Sequence, residues 1–205
     1  MSKIWDDIYA KDTAFFGDEP SKFAIKCYDI MKKNNLKRVL EIGCGQGRDC
    51  LFFASKGMEV TALDYSQTAI NSLLEKSQKN IRINARVHDV KKPLPSGDGM
   101  FDAVYSHMFF SMRFTTNELR FVFQEVKRVL RKDGFHFFSV RNRNDKFYGQ
   151  GTKIDDNTYD INGFQIRFFT IPEIENLSEG FKILEMKEDY EEPVTLYLVT
   201  SRKNQ

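Results

Sequence analysis

The stretch Val39-Leu-Glu-Ile-Gly-Cys-Gly-Gln-Gly47 constrains this chain most: an apolar run passes through a glutamate into glycines at every second position. Arg38 to Ile42 reads as a strand, because its aliphatic and β-branched residues are bounded by glycine. Arg48-Asp-Cys-Leu-Phe-Phe-Ala-Ser-Lys56 reads as a helix closed by Gly57 at the C′ position. The loop between them therefore lies at a strand's carboxyl end. Glycines there tolerate positive φ and let a ligand approach the main chain, while the helix start presents unpaired N–H groups. Glu59-Val-Thr-Ala-Leu-Asp64 predicts a second strand ending in an acid 21 residues after Gly43. Nucleotide-binding α/β units place a carboxylate on ribose hydroxyls at nearly that spacing.

Ile83 to Asp89 predicts a third strand and Met100 to His107 a fourth, with Asp102 near its start. A glycine loop, an acid, a second acid and then a strand is an order that resembles the class I S-adenosylmethionine-dependent methyltransferases. Glu41 to Gly47, Asp64-Tyr65, Asp89-Val90 and Phe101-Asp-Ala-Val104 match their motifs, over residues 36 to 140. A nicotinamide fingerprint would need a third glycine where Arg48 stands, at a point of close helix packing. The resemblance implies an α/β, Rossmann-like fold: a mostly parallel seven-stranded sheet with an antiparallel last strand and helices on both faces. It also implies S-adenosylmethionine as cofactor. Asp64 would take both ribose hydroxyls, Tyr65 would lie beside the adenine, and Asp89 with the Val90 backbone would read its amino edge. Gly43, Cys44 and Gly45 form the expected cradle, Arg48 is a candidate for the cofactor's carboxylate, and Ser106 joins the cofactor set.

Acceptor-side residues should project from the carboxyl ends of strands four and five. That selects Ser106 to Phe110 and Arg141 to Tyr148, with His107 as candidate catalytic proton acceptor and Arg141 and Tyr148 as substrate-binding residues; an arginine suits an anionic acceptor. The aromatic opening, Ile4-Trp-Asp-Asp-Ile-Tyr9 with Phe15-Phe16-Gly17, reads as a lid whose Tyr9 hydroxyl meets the cofactor's carboxylate, or else as a strap packed on the core. One domain over residues 1–205 is expected, with 1–35 as helical cap and 36–205 as core. No Asn/Asp-Pro-Pro-aromatic motif follows strand four, and no paired-glutamate loop or metal-binding acid cluster appears. The layout is similar to the tellurite-resistance and thiol-methylating kind, so a small-molecule methyl acceptor is expected and no metal. A non-catalytic cofactor-binding sensor or partner subunit, and a protein or RNA methyltransferase, stay open.

Lys and Arg number 31 against 29 acids, a net charge of +2, so no broad field exists to collect nucleic acid and none is expected as partner. No window approaches 18 apolar residues and the N-terminus holds no apolar leader, which predicts no membrane partner and a cytoplasmic location. Cys27, Cys44 and Cys50 fit neither a zinc nor a redox spacing. Cys27 shares an apolar stripe with Phe23, Ile30 and Met31, and the Cys44 side chain is expected to pack while its backbone meets ligand. Further helices are predicted at Pro20–Asn35, Thr115–Lys132 and Pro172–Ser178, a fifth strand at Phe135–Val140, and a hairpin from Phe181–Tyr190 and Val194–Ser201 joined by Glu191-Glu-Pro193. His88 and His136 read as ordinary strand residues.

Overall fold

The computed structural model describes residues 2–77 and 82–204. Helices α1 (Ser2–Lys11) and α2 (Lys22–Lys33) precede an alternation of β1 (Arg38–Ile42), α3 (Arg48–Ser55), β2 (Glu59–Asp64), α4 (Gln67–Lys76), β3 (Ile83–Val87) and β4 (Phe101–Ser106). Then come a 3-10 turn (Phe109–Ser111), α5 (Thr116–Val129), β5 (Leu130–Arg141), β6 (Thr152–Lys153), β7 (Thr158–Ile161), β8 (Phe164–Arg167), α6 (Ile171–Leu177), β9 (Phe181–Glu191) and β10 (Val194–Lys203). Seven strands form one sheet in the order β3-β2-β1-β4-β5-β10-β9. The neighbours from β3 to β5 pair in parallel, and β10 runs antiparallel between β5 and β9.

Alternation along the strands sends successive side chains to opposite faces, so the sheet carries two cores. Val39, Ala103, Tyr105 and Phe137 pack with α2, α3 and α4; Leu40, Ile42, Val104 and Phe138 pack with α5 and α6. The helix starts are set locally. Ser21 accepts from the Ala24 N–H at α2, Ser66 from the Ala69 N–H at α4, and Thr115 forms a capping box with Glu118 at α5. Strand order reverses between β1 and β4, which opens a crevice outside their carboxyl ends.

Three boundaries depart from the sequence reading. α5 stops at Val129 rather than Lys132, because Leu130 turns extended (ψ 134°) to pair with Phe101. Asp133 (φ 60°) and Gly134 then absorb a register shift before Phe135 pairs with Ala103. β3 ends at Val87, and the His88 N–H donates to the carbonyl of Asp64, the last residue of β2, as the chain leaves β3. The segment after Tyr148 forms a small antiparallel sheet, β6-β7-β8, which the sequence reading passed over. Its marker was Asn162-Gly163, both at positive φ (56° and 86°), the geometry of a two-residue hairpin turn.

Candidate active site

Gly43, Gly45 and Gly47 have φ of 73°, 51° and 88°, and each glycine has a different neighbour. A Cβ on Gly43 would lie 2.2 Å from the Phe109 ring, one on Gly47 2.2 Å from Leu73 of α4, and one on Gly45 3.0 Å from the Tyr9 hydroxyl. The close helix approach thus falls on Gly47, one residue before Arg48. The Gly43 and Cys44 N–H groups donate to the Leu63 carbonyl, tying the loop to β2. A cavity of about 1130 Å³ opens over this loop and reaches the ends of β4 and β5.

Asp64 lies in the cavity wall and is 8% exposed. Its Oδ2 accepts from the Gly45 N–H and its Oδ1 from the Ser66 N–H, both at 2.9 Å. Burial pushes its carboxyl upward against those hydrogen bonds. The Tyr65 N–H also bonds this carboxylate, which therefore holds three backbone donors at the cavity wall. Tyr65, Asp89 and Val90 line the same end of the wall, with Asp89 exposed and its Oδ1 accepting from the Lys91 N–H. His88 joins them with a buried Nε2 that has no hydrogen-bond partner among the described residues.

Beneath the loop, buried Glu41 accepts from the Cys50 thiol at 2.9 Å and is pushed well above the usual carboxylate range by burial. Cys44 bonds to Cys50, which opposes the rise, yet its own burial lifts the thiol to about 11, so it is no nucleophile near neutral pH.

The N-terminal segment is stitched to this loop. Asp6 of α1 accepts from the Ser66 hydroxyl and the Thr68 N–H, Gln46 bonds both the Phe15 N–H and the Asp12 carbonyl, and Arg48 donates to the Phe16 carbonyl at 2.8 Å. Arg48 therefore joins the loop to the N-terminal segment, has its Nε 3.5 Å from Asp49, and lines the cavity. Tyr9 is buried over the loop and stacks on Trp5, which also meets Phe164 of β8 at 5.6 Å. The N-terminal segment and the β7–β8 hairpin together roof the cavity.

At the acceptor end, His107 lies between two partners. The Ser139 hydroxyl accepts from the Met108 N–H and shares a hydrogen bond of 2.7 Å with His107 Nδ1. The buried His107 Nε2 lies 3.4 Å from Glu191 Oε2, with no hydrogen-bond partner among the described residues. The nearby His107 ring holds the Glu191 carboxyl below its usual range.

Other expectations need correction. Arg141 lines the cavity, but its guanidinium is taken bidentately by Asp145 and sits over the Phe147 and Phe168 rings, so its charge is already matched. Tyr148 packs on Tyr159 and Phe168, away from the cavity wall. Ser106 is fully buried and its hydroxyl does not reach the wall, because its side chain points into the sheet's packing. Sequence reasoning missed Glu191, His88 and Phe164; only the Glu-Glu-Pro turn and the Asn-Gly turn hinted at two of them.

The family model described as "Methyltransferase domain" matches residues 39–134. The probable S-adenosyl-L-methionine-dependent methyltransferase TehB of Haemophilus influenzae is 32% identical over 40% of this chain and 30% of its own length. The chain spans half or less of the length of the curated relatives it matches. Among solved structures, a Methanosarcina mazei S-adenosylmethionine-dependent methyltransferase superposes with a TM-score of 0.74 at 21% identity, covering 85% of this chain and 97% of the other. A Burkholderia thailandensis N1-methyltransferase, solved with S-adenosylhomocysteine and its own acceptor, gives 0.76 at 19% identity, covering 100% and 87%. These structural likenesses show the fold. With the methyltransferase domain model matching residues 39–134 and the sheet order above, the chain is similar to the class I S-adenosylmethionine-dependent methyltransferases.

Proposed function

We propose that this chain transfers a methyl group from S-adenosylmethionine to a small-molecule acceptor. The observation that carries the reading is one roofed cavity of about 1130 Å³ that joins the glycine loop and Asp64 to the acceptor-side His107 and Glu191. That exceeds the usual 300–1,000 Å³ of a single-ligand pocket, which suits a cofactor with a small partner beside it.

The residues fit the cofactor. Asp64 is a carboxylate held at the cavity wall by backbone N–H groups, an acceptor suited to ribose hydroxyls, and the glycines leave the main chain open. Tyr65 offers a ring face to a base, while Asp89 and the Val90 backbone read its polar edge. When bound, S-adenosylmethionine supplies a methyl already made electrophilic by its sulfonium. The chain's own work is to orient and to exclude water. Tyr9, Trp5 and Phe164 cover the site, and Phe109 and Met108 shape the apolar wall beside it. A roof held on both sides favours a small acceptor over a protein or RNA strand.

Isothermal titration with S-adenosylmethionine and with NAD, followed by a screen of small thiols, amines and oxyanions with labelled methyl donor, tests the proposal. Label in an acceptor is the expected result. Tight NAD binding with none for S-adenosylmethionine overturns it, and cofactor binding without any transfer favours a sensor.

A further inference from the structure

Resting on the methyltransferase reading above, we infer that Glu191 selects the acceptor, its carboxylate set by His107 to take an N–H of a small amine. The geometry points to a different role for His107. Its Nδ1 is taken by the Ser139 hydroxyl at 2.7 Å, and its buried Nε2, which has no hydrogen-bond partner among the described residues, faces Glu191 Oε2 at 3.4 Å. His107 is a positioning residue.

Glu191 has the contrary properties. It lines the cavity with Glu192 beside it at the turn of the β9–β10 hairpin, where β10 runs back along β5. The groups that act on it are His107, Arg48 and Lys22. Of these, Arg48 is committed to the Phe16 carbonyl and lies near Asp49. Held ionised below the usual carboxylate range, Glu191 is a weak base but a strong acceptor of charge-assisted hydrogen bonds.

The cations on the wall do not reverse this. Arg141 is neutralised by Asp145, and Lys91 pairs with Glu118 at 2.8 Å. Arg113 and Lys92 are solvent-exposed, where their attraction for an anion is screened. Met108, Phe109, Met112, Phe114 and Phe164 make the remaining surface apolar and aromatic. A carboxylate pair facing such a surface suits an amine on a compact apolar body and rejects an anion of the same shape.

The test uses the full chain saturated with S-adenosylhomocysteine and three probes of one shape, benzylammonium, benzyl alcohol and phenylacetate, titrated calorimetrically. Benzylammonium should bind most tightly to the wild type, and Glu191→Gln should weaken it about tenfold or more while leaving S-adenosylhomocysteine affinity within about twofold. His107→Asn should raise the pH at which the Glu191 carboxyl titrates, read by its 13C shift, and weaken benzylammonium; a merely structural histidine would move neither. Phenylacetate binding as tightly as benzylammonium, or an unchanged benzylammonium affinity in Glu191→Gln, overturns the inference while S-adenosylhomocysteine binding keeps the parent reading. A wild type that does not bind S-adenosylhomocysteine overturns both.

Discussion

His136 offers a quantitative test of how this core handles a titratable group. It lies on β5 between β4 and β10, is fully buried, and neither ring nitrogen has a hydrogen-bond partner among the described residues. Phe123, Phe138 and Phe181 surround it at 5.2, 4.7 and 5.5 Å. Burial lowers its pKa from 6.5 to about 3, so the folded chain holds it neutral. Between those values the unfolded chain binds a proton that the folded chain refuses. Stability is therefore complete above the unfolded value and is lost as pH falls toward 3. At 1.36 kcal/mol per unit the whole window amounts to about 5 kcal/mol, of which about 2 kcal/mol falls between pH 7 and pH 5. His136→Phe removes the titrating group from an already aromatic pocket. Urea unfolding of both proteins at pH 7 and pH 5 should show the wild type losing about 2 kcal/mol more than the variant. Parallel losses would refute the reasoning, because they would mean that His136 is solvated or partnered in the folded chain.

Asp64→Ala should weaken S-adenosylmethionine by about 1.5–3 kcal/mol and also cost about 1–3 kcal/mol of stability, since the Gly45 and Ser66 N–H groups lose their acceptor; calorimetry and urea unfolding separate the two losses. Gly43→Ala places a methyl 2.2 Å from Phe109 at a φ of 73°, so it should lower both the melting temperature and cofactor affinity, whereas Gly57→Ala, with open space around it, should lower only stability. Asp6→Ala removes the acceptor for the Ser66 hydroxyl and the Thr68 N–H, so hydrogen exchange across α1 should speed up while the central strands keep their protection. If the central strands exchange faster as well, the segment is a structural strap rather than a lid. Glu191, held low by His107, adds stability above the ordinary carboxylate range that is lost as pH falls through its depressed value, and His107→Asn should flatten that part of the acid unfolding curve.

The parts legible in the sequence were those where a local rule and the global fold coincide. Val39 to Gly47 announced strand, loop and helix because glycine spacing and apolar runs are local signals, and Asp64 and Asp89 followed from where parallel strands must end. The closing hairpin was equally readable, from two strand patterns joined by three residues. Partnership was not readable, because it depends on residues far apart in the chain. His107 looked like a base until the fold set Ser139, 32 residues on, against its Nδ1 and Glu191, 84 residues on, beside its Nε2, whereas Arg141 looked available for a substrate although Asp145, which takes it, stands only four residues away. Arg48 reached a carbonyl 32 residues away, and Ser106 turned inward. A side chain's type states which protons and charges it can offer; only tertiary packing decides whether a neighbour has already taken them.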